Sequence, residues 1–258
     1  MSSTASPTTL MSLVNIASRI FRSLGFRVTR SARANRFEAT EHTLRLMEQR
    51  GFAPAEIIDA GANVGTWTLM AKTIFPRATI HMIEPQSGCV SNLELLAKTY
   101  HQLHFYPTAV TRPGRRRVAL AGSDGARKGT GAWVVDEGKQ SPADQQSDAT
   151  TLDELFGDRL RTPILLKLDL EGHELAALEG ASSLLARAEV VLTEASIFDV
   201  NDSGKPLLGD LLLFLRSRGF ELYDIASLSA RPRDGRLRQT DAVFVRRDSS
   251  LFGDRTWE

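Results

Sequence analysis

Cysteine is nearly absent from this 258-residue chain: Cys89 is the only one. A single thiol excludes an internal disulfide and any thiolate-rich metal site, and it fits a reducing compartment. No apolar run approaches the ~20 residues that a membrane-crossing helix needs. The start carries neither a long apolar core nor a small-residue cleavage pattern, so it does not read as a secretory signal. Acids are missing from residues 1–37, which hold six arginines (Arg19, Arg22, Arg27, Arg30, Arg33 and Arg36). The overall charge of +1 therefore hides a remainder with 26 basic and 31 acidic residues. A net-acidic body of this kind excludes a nucleic-acid-binding core.

The basic start divides in two. Residues 1–10, "MSSTASPTTL", are small and polar, a composition that predicts disorder. The segment "MSLVNIASRIFRSLGF" places Leu13, Ala17, Ile20, Phe21 and Leu24 on one helical face and Ser18, Arg19, Arg22 and Ser23 on the other. It reads as a lid or packing helix, or as a basic amphipathic helix on an anionic membrane surface through residues 11–37. An Arg-rich, acid-free start also imitates a transit peptide. The expected organisation is a tail and helix over 1–37 and one domain over 38–258.

From residue 38 a rhythm begins. "RFEATEHTLRLMEQRG" predicts a helix stopped by Gly51, "AEIIDAG" a strand, "VGTWTLMAKTIF" a helix, and "ATIHMIEP" a strand ending in an acid. "SGCVSNLELLAKTY" then predicts a helix, and "QLHFYPTAV" a strand interrupted by Pro107. Strands and helices alternating over short connections imply a parallel sheet covered on both faces. Residues 112–149 break the rhythm with "RRRVAL", "GAWVV" and the polar "DEGKQSPADQQSD". They predict two short antiparallel strands and a mobile loop, inserted on the sheet. The pattern resumes with strand "PILLKLDL", helix "HELAALEGASSLLA", strand "EVVLTEA", helix "PLLGDLLLFLRSRG" and strands "FELYDI" and "DAVFVRR".

The turn "DAGANVG", Asp59–Gly65, joins the first strand to its helix. Glycine has no Cβ, so such a turn runs close to a ligand, and the helix start offers free N–H groups. A dinucleotide cradle needs G-x-G-x-x-G, and a P-loop ends in G-K-[ST]. Here Asn63 stands where glycine is required, which argues against a diphosphate. Glu84 ends the next strand, where an acid accepts hydrogen bonds from both hydroxyls of a ribose. A ribose without a pyrophosphate fits S-adenosylmethionine. Asp59, Gly61, Asn63 and Gly65 would meet its amino-acid end, and Glu84 its ribose.

Four segments carry a family resemblance: "IIDAGANVGTWTL", "IEP", "KLDLEGHELAALEGA" and "VVLTEAS". Together they resemble the FkbM-type S-adenosylmethionine-dependent methyltransferases, from about residue 38 to the C-terminus. The glycine turn is common to many methyltransferases, whereas the block from Lys167 to Glu174 is more specific. The resemblance implies the class I, Rossmann-like α/β fold: a doubly wound, seven-stranded, mostly parallel sheet whose last strand is antiparallel, with helices on both faces. It also implies methyl transfer, usually to a hydroxyl oxygen.

The block "KLDLEGHE" sets the chemistry. If the strand continues through it, Lys167, Asp169 and Glu171 share one face, and their edge is the one that carries Asp59 and Glu84. The acceptor hydroxyl must lose a proton, and a positioned base is worth ~10²–10⁴ in rate. His173 is a candidate base, with Asp169 or Glu171 to orient it or to take the proton; its alternative is an exposed residue in a helix's first turn. Asp169 is also placed to face the donor. Glu171 and Glu174 have a simpler use as caps of the next helix. A third use is a divalent metal such as magnesium on Asp169, Glu171 and Glu194; the metal-free reading is preferred. His42, His81, His101 and His104 show no metal-ligand spacing.

The expected activity is thus O-methylation of a small hydroxylated acceptor, a sugar or secondary metabolite, in the cytoplasm or at the membrane periphery. The rivals are an NAD-linked Rossmann-type enzyme and a non-enzymatic membrane-surface or assembly protein that uses the fold as a scaffold.

Overall fold

The chain divides into two units, residues 1–35 and 36–258. A computed structural model describes residues 36–122, 133–135, 145–199, 204–253 and 256. The polar start, the amphipathic segment and most of the polar tract before residue 145 lie outside the described residues.

The second unit opens with α1 (Arg36–Gln49), followed by β1 (Glu56–Ala60), α2 (Thr66–Ile74), β2 (Thr79–Ile83), α3 (Ser87–Thr99) and β3 (Leu103–Tyr106). After β3 comes β4 (Ala109–Val110), and the interrupting segment then supplies β5 (Arg117–Ala121), β6 (Trp133–Val135) and β7 (Gln145–Thr150). Then come α4 (Leu152–Leu155), β8 (Ile164–Leu168), α5 (Glu174–Glu179), α6 (Ser182–Leu185), β9 (Ala188–Ser196), α7 (Leu208–Ser217), β10 (Phe220–Ala230) and β11 (Leu237–Arg246).

Seven strands form the main sheet in the order β10-β11-β9-β8-β1-β2-β3. The run from β9 to β3 is parallel, and β11 is antiparallel to both its neighbours. This is the class I methyltransferase sheet. Its inner strands are continuous apolar runs because both faces are covered. On β8, Ile164, Leu166 and Leu168 enter one core cluster with Phe220 and Phe244, while Leu165 enters the other with Ile80 and Met82. Among the described residues no helix is long and apolar enough to cross a membrane.

Three local features differ from the sequence expectation. The 112–149 segment contributes β5, β6 and also β7, a strand of polar sequence, and with β4 these make a second, four-stranded sheet. The expected antiparallel pair is β5 with β6. The single helix expected after β8 is broken into α5 and α6 at Gly180. A Cβ there would lie 2.3 Å from the carbonyl oxygen of Thr111, so a close approach of backbone fixes the break. Finally, α1 begins at Arg36, as the helical segment starting there predicts, two residues before the expected domain start at residue 38.

Candidate functional site

The parallel strands β1, β2, β8 and β9 end on one edge, and an acid lies at or just beyond the end of each: Asp59, Glu84, Asp169 and Glu194. Between β1 and α2 the backbone takes left-handed conformations at Gly61 (φ 81°), Asn63 (φ 51°) and Gly65 (φ 86°). Gly61 cannot be replaced without movement, since its Cβ would fall 1.9 Å from the carbonyl oxygen of Asp169. The turn is anchored across the sheet: Gly61 and Ala62 donate their N–H groups to the Ile83 carbonyl at 2.9 and 3.1 Å. Asn63 donates its N–H to Glu84 Oε2 at 2.8 Å, and Gln86 donates to Glu84 Oε1 at 3.0 Å. Glu84 is buried. Burial pushes its carboxyl up, against the pull of those two N–H groups and of the Lys167 charge. With about four acceptor sites and hydrogen bonds from Asn63 and from the Gln86 backbone and side chain, the carboxylate retains room for a ligand hydroxyl.

Asp59 lies deeper than the sequence suggests. It is fully buried, accepts from Thr68 Oγ1 at 2.6 Å, and pairs with Lys167 Nζ at 2.8 Å. Lys167 also donates to the Gly61 carbonyl at 2.9 Å. Lys167 therefore ties β8 to β1 and to the root of the glycine turn, and it does not pair with Asp169. The Trp67 ring lies 5.6 Å from the Lys167 ammonium. Its Nε1, at the start of α2, is buried with no hydrogen-bond partner.

The structure brings together the acids that follow β8 and end β9. Carboxylate oxygens of Asp169, Glu171 and Glu194 lie within 4.8 Å of one another. Glu171 is not on the strand: β8 stops at Leu168, and Glu171 sits in a turn with φ 53°. The cluster already contains a cation. Arg36 Nη2 lies 2.6 Å from Glu194 Oε2 and 3.5 Å from Asp169 Oδ2. The same guanidinium grips Asp241 on β11 with two bonds, Nε at 2.8 Å and Nη2 at 2.5 Å. Asp241 is further held by Thr40 and Ser227.

Crowded carboxylates share protons unequally. Burial, then repulsion from Asp169, drives Glu194 well above the usual carboxylate range. Asp169 goes the other way. Burial opposes its ionisation, but Lys167, Arg36 and a hydrogen bond from Glu194 outweigh it and hold the carboxyl low. Burial and the Asp169 charge raise Glu171. Within this pair Glu194 therefore holds a proton more tightly than Asp169, which gives its proton up more readily than an ordinary aspartate.

Two residues of the block face inward. Glu174 Oε1 accepts from the N–H groups of Leu170 (2.8 Å) and Gly172 (3.1 Å), so it braces the turn that displays Asp169 and Glu171. Burial pushes it up to about 7. His173 is buried at 7% exposure, with Nε2 2.9 Å from Thr111 Oγ1 beside the second sheet. It is not the exposed first-turn residue the sequence allowed, and its ring is turned to Thr111. Sequence reasoning missed Arg36, Trp67 and Thr111; Arg36 was one of six arginines in an acid-free stretch, and no local pattern marked it.

The family described as "Methyltransferase FkbM domain" matches residues 59–222. No curated protein matches the chain. Among solved structures, it is similar to a 1,6-didemethyltoxoflavin-N1-methyltransferase from Burkholderia thailandensis with bound S-adenosylhomocysteine. There the identity is 16%, the coverage 95% of this chain and 92% of that one, and the TM-score 0.42. It is also similar to the N-methyltransferase NodS from Bradyrhizobium japonicum, in complex with S-adenosylhomocysteine. The identity is 10%, the coverage 89% and 97%, and the TM-score 0.46. For Aeropyrum pernix fibrillarin, with natively bound S-adenosylmethionine, the values are 14% identity, 80% and 76% coverage, and a TM-score of 0.42.

Proposed function

Because the chain belongs to the FkbM methyltransferase family, we propose that it transfers a methyl group from S-adenosylmethionine to a hydroxyl oxygen of a small acceptor, a sugar or another metabolite, in the cytoplasm. One observation carries this reading: the glycine turn, Glu84, the carboxylates after β8 and Glu194 near the end of β9 are brought together at one sheet edge.

The residues suit such a donor. Glu84 offers lone pairs to ribose hydroxyls, the start of α2 offers N–H groups, and the unpartnered Trp67 Nε1 is one further donor. Asp169, ionised at this edge, favours a cation. A sulfonium donor supplies a methyl group whose leaving group is a neutral thioether. Alignment then dominates, and holding the reactants in place is worth roughly 7–11 kcal/mol. The acceptor proton is assigned to Asp169. Its carboxyl is held low while that of Glu194 is held high, and Glu171 and Glu194 flank it. His173 acts indirectly, through Thr111 and the turn. Arg36 supplies the positive charge that a divalent ion would bring to Asp169, Glu171 and Glu194, so no metal is assigned there.

Calorimetry is the test. S-adenosylmethionine and S-adenosylhomocysteine should bind, and NAD should not. Glu84→Ala should weaken donor binding by about 1.5–3 kcal/mol, the worth of hydrogen bonds to a charged group. Tight NAD binding without heat from the sulfonium donor would overturn the reading.

A further inference from the structure

Because β11 runs antiparallel to β9, its start lies at the edge where β9 ends: Gln239 pairs with Ser196, and Ile197 donates its N–H to the Arg238 carbonyl at 2.8 Å. The β10–β11 turn therefore projects beyond the edge that carries Asp169 and Glu194. Its sequence, "RPRDGRLR" from Arg231 to Arg238, holds four arginines and one acid.

That acid is already taken. Arg231 grips Asp234 through Nε at 3.0 Å and through Nη2, and Asp234 also accepts the Arg236 N–H at 3.1 Å. Arg233, Arg236 and Arg238 are exposed, and none of them is ion-paired among the described residues. Arg236 is not free to wander: its guanidinium stacks 3.9 Å from the ring of Phe198, just past the end of β9. Contact with the ring restrains the fork without using its N–H groups, and an exposed guanidinium of this kind receives a carboxylate or phosphate in bidentate fashion. Arg238 stands three positions before Asp241, the register partner of Glu194, and its charge reaches Glu171, so this basic rim adjoins the acid cluster at one sheet edge.

The geometry points to an acceptor with two chemically distinct ends, a methyl-accepting group that meets Asp169 and an anionic group, phosphate or carboxylate, that is held on Arg233, Arg236 and Arg238. The acids at the sheet edge repel an anion from the reacting end, and the hairpin captures it at the rim. A bound molecule is thereby oriented by its own charge separation. This rests on the methyltransferase reading of that edge, and it narrows the acceptor to an anionic compound.

The first experiment needs no acceptor. Arginines of the donor-loaded protein are labelled with phenylglyoxal and mapped by mass spectrometry. Inorganic phosphate should slow the labelling of Arg233, Arg236 and Arg238 about threefold or more relative to chloride at equal ionic strength, as expected for charge-assisted bidentate bonds. Equal labelling in both salts overturns the proposal. Phosphatidylcholine vesicles with and without phosphatidylglycerol separate the sources of anion. Protection by the anionic vesicles alone, with none from free phosphate, also overturns it and makes the hairpin a membrane contact.

The second experiment offers labelled donor with matched pairs of hydroxylated compounds, each neutral parent beside its phosphate or carboxylate. The triple variant Arg233→Gln, Arg236→Gln, Arg238→Gln should lower kcat/KM for anionic acceptors by about 10- to 100-fold, the loss expected for hydrogen bonds to charged groups, and leave donor affinity unchanged. Unchanged turnover of anionic acceptors by the triple variant overturns the anionic rim and leaves methyl transfer standing. Failure of the wild type to bind the sulfonium donor overturns the methyl-transfer reading instead, while the phosphate protection still reports on the hairpin.

Discussion

Lys167 and Asp59 form an ion pair inside the sheet, with Nζ 2.8 Å from Oδ1 and Asp59 fully buried. The two residues are register partners on adjacent strands. Removing one side leaves a charge without compensation in a dry interior, which costs about 3–5 kcal/mol, whereas replacing both is far milder. Lys167→Met should therefore lower unfolding stability by about that amount. Lys167→Met with Asp59→Leu should recover part of it. Urea unfolding of the three proteins measures this; a double variant no better than the single one would show that the pair is not the source of the loss.

Glu174 sets a pH dependence. Its carboxyl is raised to about 7 by burial, above the ordinary value of an unfolded glutamate. Between about 4.5 and 7 the native state holds a proton that the unfolded chain has released, so this residue's contribution falls as pH rises through that window. Above it the buried charge carries its full penalty. Glu174→Gln keeps an acceptor for Leu170 and Gly172 but removes the charge. The variant should gain on the wild type by ~1–3 kcal/mol at pH 8 and by almost nothing at pH 4. A gain that does not change between these pH values refutes the assignment.

Gly61 and Gly51 separate crowding from backbone strain. Both have positive φ, but a Cβ at Gly51 meets nothing within 4 Å, while one at Gly61 strikes the Asp169 carbonyl. Gly51→Ala should cost only the strain, about 1 kcal/mol. Gly61→Ala should cost ~2–4 kcal/mol and impair donor binding, because β1 and β8 must part to admit the methyl group. Similar melting temperatures for the two variants would refute the close approach.

Arg36 is the cation of the acid cluster. With its side chain 34% exposed, solvent softens the loss, and Arg36→Leu should cost about 2 kcal/mol, below the range for a fully buried pair. The vacated carboxylates then become a set of hard oxygen ligands. Manganese should raise the melting temperature of Arg36→Leu and not of the wild type, and a chelator should leave wild-type turnover unchanged. Chelator-sensitive wild-type activity would restore the metal reading of Asp169, Glu171 and Glu194.

The sheet was legible because strands buried on both faces announce themselves as apolar runs, as in Ile57–Ile58 of β1 and "ILLKL" at Ile164–Leu168. β7 was not, because "QQSDAT" turns only Ser147 and Ala149 inward and draws its order from pairing with β5. The edge acids were legible from their place at strand ends. Their partners were not. Arg36 meets Asp241 across 205 residues of sequence, and Lys167 chooses Asp59 over its near neighbour Asp169. Such choices are made by the register of strands and the start of a helix, and neither leaves a mark in local composition.

Arg36 and Asp241 both lie outside the matched span of residues 59–222, whereas Asp169, Glu171 and Glu194 lie inside it. The part of the chain that carries the recognisable motif therefore leaves out the guanidinium that pairs with Glu194. Grafted onto another enzyme's flanks, it would import three crowded carboxylates without the guanidinium that balances them, and a chimera would fold around a site with shifted proton affinities. The working unit for protein engineering here begins at Arg36 and ends beyond Asp241, wider at both ends than the motif by which it is recognised.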